Sequence, residues 1–98
     1  MKKTYRTIEA VRKAGEILNF LATQREPLSG ADVGQAVGMA TGTVMCHLAT
    51  LEELGFVRSV GERYELGMGA ALLWSRYKAN RQAQRDAITR ELRELEVE

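Results

Sequence analysis

Residues 29–58 read SGADVGQAVGMATGTVMCHLATLEELGFVR. Ser29, with Asp32 three positions on, has the spacing of a capping box, and this predicts a short helix over residues 30–37. Gly38 follows where a sharp turn needs a positive backbone dihedral, which a residue bearing a Cβ adopts only at a cost. A second helix is predicted over residues 41–54. On it Val44, Leu48 and Leu51 share one face with His47, and Gly55 lies where a left-handed cap would end it. Two short helices joined by a tight glycine turn make a helix-turn-helix.

Upstream of that stretch, Ile8, Val11, Leu18 and Leu21 recur at helical spacing and predict a helix over residues 7–23, with Glu9 and Lys13 placed for an i,i+4 ion pair. Pro27 stops it, and Pro27-Leu28 reads as a short extended link. Downstream, Phe56-Val57-Arg58-Ser59-Val60 and Arg63-Tyr64-Glu65-Leu66 are β-rich, and Gly61-Glu62 between them fits a two-residue type II′ hairpin with glycine first. The fold class is therefore mainly α, in the α+β sense: a winged helix-turn-helix with a two-stranded wing and a long C-terminal helix. Residues 1–67 form the winged domain and residues 68–98 a C-terminal helix that serves as linker or dimerisation segment.

That last helix, predicted over residues 70–97, opens apolar with Leu72, Leu73, Trp74 and Tyr77. It turns polar from Arg81 to Asp86, and only Ile88, Leu92 and Leu95 restore a narrow stripe. Its own domain cannot cover so long a helix, so a partner chain is inferred, with Leu73, Trp74, Tyr77, Ile88, Leu92 and Leu95 as dimerisation residues. Trp74 and its neighbours are expected to pack on the first helix as well.

Hydrophobic residues make up 45% of the 98 and charged ones 28%, the balance of a folded domain rather than a disordered tail. The single cysteine, Cys46, excludes an internal disulfide and a multi-cysteine zinc site. The first residues lack the apolar run of a signal peptide, which points to a reducing, cytoplasmic setting. Charges interrupt every hydrophobic segment before it reaches the ~20 residues a membrane helix needs, so no membrane role is expected. The net charge of +1 is unevenly spread: Lys2, Lys3, Arg6, Arg12 and Lys13 crowd the start, and no Lys or Arg lies between Glu26 and Val57.

The run Gly38-Met39-Ala40-Thr41-Gly42-Thr43-Val44, continued by His47-Leu48-Ala49-Thr50-Leu51-Glu52-Glu53-Leu54-Gly55-Phe56-Val57-Arg58, resembles the recognition helix and first wing strand of IclR-type transcription regulators. Arg63-Tyr64-Glu65-Leu66-Gly67 is similar to that family's second wing strand and its exit. The pattern from Ala10 to Leu21 resembles its first helix, and Asp86-Ala87-Ile88-Thr89-Arg90-Glu91-Leu92-Arg93-Glu94-Leu95 the helix leading into its effector domain. The effector domain itself is absent, so the chain reads either as a stand-alone short regulator or as one cut at the linker. At the reading head the family carries a proline, a basic residue and a serine before the threonine, and a basic residue two turns into the helix. Here those places hold Ala40, Thr41, Gly42 and, further on, Cys46.

The resemblance implies binding of double-stranded DNA by a homodimer, with the third helix in the major groove. Its outward face carries Thr41, Gly42, Thr43, Met45, Cys46 and Ala49. None of these makes the bidentate arginine contact to guanine, so base discrimination should be modest. Phosphate contacts fall to Lys2, Lys3 and Arg6 as an arm, to Arg25, and to Arg58 and Arg63 on the wing. The alternative is a protein-interaction module that keeps the winged helix as a scaffold and docks its neutral face on another protein. Cys46 and His47 are helix neighbours about 100° apart, with no second His or Cys to complete a metal or nucleophile site; His47 reads as a semi-buried packing residue. No carboxylate pair, triad or phosphate loop can be assembled, so neither an enzyme nor a bound cofactor or metal is expected.

Overall fold

The computed structural model describes residues 4–96. Its elements in chain order are α1 (Glu9–Ala22), β1 (Leu28–Ser29), α2 (Gly30–Val37), α3 (Thr41–Glu53), β2 (Val57–Val60), β3 (Arg63–Leu66) and α4 (Met68–Glu96). The architecture is a winged helix-turn-helix, mainly α, as the periodicity requires.

Local chemistry accounts for the boundaries. Ser29 is the N-cap of α2, its hydroxyl accepting the Asp32 N–H at 3.1 Å. Gly38 ends that helix in the left-handed region at φ 71°. At the end of α3, Gly55 takes φ 82°, and the Phe56 and Gly55 amides donate to the Leu51 and Glu52 carbonyls at 2.9 and 3.0 Å, the paired bonds of a Schellman cap. Gly61 at φ 63° starts the hairpin turn. Among the described residues only glycines have a positive φ, so Glu62 does not, which selects a type II′ turn over type I′.

The wing has one more strand than the sequence predicts. Leu28, expected in an extended link with Pro27, and the capping residue Ser29 pair antiparallel with β3 in the register Leu28↔Tyr64 and Ser29↔Arg63, so the sheet order is β1-β3-β2. Only the fold brings the open edge of β3 beside them, and an unpaired strand edge satisfies its backbone groups with whatever extended segment lies there.

The core is small: Ile17 and Leu21 of α1, Val33 of α2, Val44, Leu48 and Leu51 of α3, and Val57 of β2. Ile8 and Val11 depart from the predicted inward stripe, each about two-thirds exposed at 65% and 66%. The start of α1 faces α3 across an open groove lined by Val11, Ala14, His47 and Leu54. The Glu9–Lys13 pair is also replaced. Glu9 pairs with Arg12 at 3.3 Å, while Lys13 pairs with Glu16 at 3.1 Å and donates to the Val37 carbonyl at 2.7 Å. A cation at the C-terminal end of α2 complements the helix dipole there and ties α1 to α2, a tertiary partner that outcompetes the local one.

Helix α4 buries none of its residues and leaves the body beside β2. Trp74, expected against the first helix, stands 62% exposed, its ring 6.0 Å from that of Tyr77. The radius of gyration is 19.4 Å, against about 13 Å for a compact chain of this size. The difference comes from a 29-residue helix, about 43 Å long, projecting from the body.

Candidate nucleic-acid interface

Burial of Val44, Leu48 and Leu51 against α1 and α2 fixes which side of α3 faces out. Thr41, Gly42, Thr43, Cys46 and Ala49 are all exposed on it. Met45, at 37% exposure, lies at the border of that face, and its sulfur presses against the position where Gly30 would carry a Cβ, so it also packs the start of α2. His47 is half-buried. Its Nδ1 donates to the Thr43 carbonyl at 3.0 Å, which leaves Nε2, shut off from solvent, without a hydrogen-bond partner among the described residues.

The N-terminus of α3 is undressed. Its N-cap, Ala40, provides no side-chain acceptor, and the first turn holds no acid. The first-turn amides of α3 thus have no side-chain cap, and no first-turn acid offsets the positive end of the helix dipole. Gly42 is not demanded by packing, since a Cβ added there meets nothing within 4 Å. Gly42→Ala is therefore expected to raise stability by about 1 kcal/mol through helix propensity, read as a higher melting temperature. If α3 approaches a DNA backbone closely, the same variant weakens binding; unchanged affinity in a gel-shift titration would remove Gly42 from the contact surface.

On the wing, the register places Arg58 opposite Glu65 and Val60 opposite Arg63. These four residues share the outward face, while Val57, Tyr64 and Leu66 turn to the core. Arg58 forms an ion pair with Glu65, and the Arg63 guanidinium reaches the Pro27 carbonyl at 3.4 Å. Arg25 is exposed in the loop after α1 and shares a small cleft with Glu65. Arg6 is exposed ahead of α1, and Lys2 and Lys3 lie outside the described residues. The structure thus groups Thr41, Gly42, Thr43 and Cys46 on one surface and Arg58 with Arg63 on another. Glu62 and Glu65 offset the two wing arginines, so the hairpin is formally neutral. Among the described residues no group of three or more His, Cys, Asp or Glu side chains is placed to hold a metal ion, and no helix is long and apolar enough to cross a membrane.

A glycine-turned helix pair with an open second helix, flanked by a two-residue-turn hairpin, defines a winged helix-turn-helix protein. The helix-turn-helix domain of the IclR family matches residues 10–61, more than half of the chain. The chain belongs to that family. It is 42% identical over 62 residues to the HTH-type transcriptional regulator Rv1719 of Mycobacterium tuberculosis (strain ATCC 25618 / H37Rv), a match covering 61% of this chain and 24% of that protein. Among solved structures it is similar to an IclR family transcriptional regulator from Brucella abortus, with a TM-score of 0.63 at 23% identity over 69% of this chain and 27% of that one. It is also similar to Pseudomonas aeruginosa HmgR, with a TM-score of 0.61 at 25% identity over 67% and 28% of the two chains. The chain spans about a quarter of the length of these relatives.

Proposed function

We propose that the chain binds double-stranded DNA as a homodimeric transcription regulator. Helix α3 lies in the major groove, while Arg25, Arg58, Arg63 and the arm of Lys2, Lys3 and Arg6 meet the phosphate backbone. The observation that carries this reading is the open outward face of α3: Thr41, Gly42, Thr43, Cys46 and Ala49 are exposed, and α4 leaves the body beside the wing without covering them. The bare N-terminus of α3 supports it further. Where the chain lacks Lys and Arg between Glu26 and Val57, free backbone amides and the helix dipole supply the local attraction for a phosphate. Homodimerisation is supported by the exposed apolar side chains of α4.

A gel-shift titration with a random duplex pool tests it. Affinity should fall steeply from 50 to 200 mM salt, and replacing Arg58 and Arg63 together by Ala should make the slope of log affinity against log salt shallower by about 2 per protomer. Absence of binding to any duplex at low salt would reject the proposal. The lack of charged side chains on α3 from Thr41 to Ala49 favours a second reading, docking of another protein on that surface. Under that reading the double Arg variant leaves DNA behaviour unaltered while substitutions at Thr43 or Cys46 abolish partner capture.

A further inference from the structure

Helix α4 is polarised along its length. Residues 68–85 carry Arg76, Lys78, Arg81 and Arg85 and no acid, whereas residues 86–96 carry Asp86, Glu91, Glu94 and Glu96 against Arg90 and Arg93. An apolar pattern coincides with that division. Trp74, Tyr77, Ile88, Leu92 and Leu95 are each more than half exposed. At about 100° per residue they fall, with Arg81, within roughly 60° of arc on one side of the helix. Their order is mirrored: reversing the helix about the point between Gln84 and Arg85 carries Trp74 onto Leu95, Tyr77 onto Leu92 and Arg81 onto Ile88. Leu73 lies on the shoulder of the stripe.

We propose that α4 pairs antiparallel with α4 of a second copy, so that Trp74 and Tyr77 of each chain pack on Leu92 and Leu95 of the other. Charge decides the direction. Helices packed 8–10 Å apart sit within about one Debye length at physiological salt, so facing charges are felt. A parallel pair would set the cationic halves against each other. An antiparallel pair sets each cationic half against the other copy's acidic half. The apolar stripe alone permits both directions, but its mirror spacing lets one antiparallel register satisfy both ends at once, as a two-fold interface demands. The paired span is about three heptads long.

This arrangement deepens the homodimer reading and adds a distance. Met68 lies about 25 Å along the helix from the midpoint, so the two α4 helices begin about 50 Å apart. The 67 Å long dimension of the chain places the body beyond that start. Two reading helices so separated do not reach half-sites one helical turn, about 34 Å, apart; they fit half-sites two turns apart.

The test is cross-linking without DNA, which makes its outcome independent of whether α3 reads a groove. In a Cys46→Ser background, chains carrying Trp74→Cys and chains carrying Leu95→Cys are oxidised mildly, alone and mixed. Neither position is buried within the chain, so the fold is retained. The expected result is a disulfide-linked dimer in the mixture at least tenfold more abundant than in either variant alone. Self-linking of the Trp74→Cys chain would establish a parallel pair and overturn the antiparallel one while leaving the homodimer intact. A monomeric mass for the unsubstituted chain in sedimentation equilibrium would overturn both.

Discussion

Leu48→Ala is expected to destabilise the chain by about 3–4 kcal/mol and to lower its melting temperature by roughly 12–25 °C. Leu48 is fully buried at the middle of α3, inside a cluster to which α1, α2 and β2 each contribute. Truncation removes its transfer free energy and leaves a cavity among Ile17, Val33, Val44 and Val57, which sit on three other elements and the same helix and cannot all close in. Among the described residues only seven make up the buried core, with no second cluster to hold α3 in place when this one is weakened. With total stability for a domain of this size at about 5–15 kcal/mol, the loss is a large fraction of it. Circular dichroism melts measure the effect. Gln82→Ala, exposed on α4 and off its apolar stripe, is the control and should move the melting temperature by little. A drop below about 5 °C for Leu48→Ala would mean that the helix-turn-helix is not held by this cluster.

The second large effect falls at a backbone crossing. The amide of Gly69 donates to the Gly55 carbonyl at 2.8 Å and that of Gly67 to the Phe56 carbonyl at 2.9 Å, so the cap of α3 and the start of α4 touch main chain to main chain. A Cβ on Gly69 would stand 2.6 Å from the Gly55 oxygen and 2.8 Å from its carbonyl carbon; one on Gly67 would crowd the same carbonyl and the carbonyl carbon of Val57 at 3.1 Å. Backbone atoms have no rotamer in which to escape. Gly67→Ala is therefore expected to cost about 2–3 kcal/mol, and Gly69→Ala a similar amount, as the crossing opens and α4 changes its angle to the body. Thermal melts give the stability. Should either variant melt within about 2 °C of the unsubstituted chain, the close crossing is not what sets the direction of α4. The same exchange of Gly for Ala at Gly42 has the opposite expected sign, because there the added carbon meets open space.

That contrast marks where reading from residues stops. Gly38, Gly42, Gly55, Gly61 and Gly67 look alike in the sequence. The caps and the hairpin turn could be assigned because their signals lie within a few residues: a capping serine before Asp32, a glycine after a helical run, Gly-Glu between two β-rich segments. The outward face of α3 was likewise legible, since three apolar residues at helical spacing leave Thr41, Gly42, Thr43, Cys46 and Ala49 on the other side. Even the pairing of Arg58 with Glu65 was within reach, as a two-residue turn at Gly61-Glu62 fixes the register that puts them opposite. It was overlooked because the arginine was weighed alone as a phosphate contact.

What was not legible depends on segments distant in the chain. Lys13 has a plausible partner four residues back at Glu9, yet it bonds the end of α2, which lies 24 residues away. Leu28 and Ser29 become a strand only because β3 passes beside them. Ile8 and Val11 fit an inward stripe, but there is too little of α3 opposite to bury them. Trp74 was assigned to the first helix because apolar residues at helical spacing need cover. The crossing at Gly55, Gly67 and Gly69 sends α4 away from the body instead, and the cover must come from elsewhere.

By itself the sequence determined the helices, the hairpin and its turn, the glycine caps and the outward face of α3, because periodicities of 3.6 and 2 and the dihedral needs of glycine act over one or two turns of chain. The third strand, the bond from Lys13 to the end of α2 and the path of α4 were decided by the tertiary structure. Each depends on which surfaces meet once the core of Ile17, Val33, Val44, Leu48 and Val57 has closed, and that choice is made between residues whose separation along the chain carries no local signal.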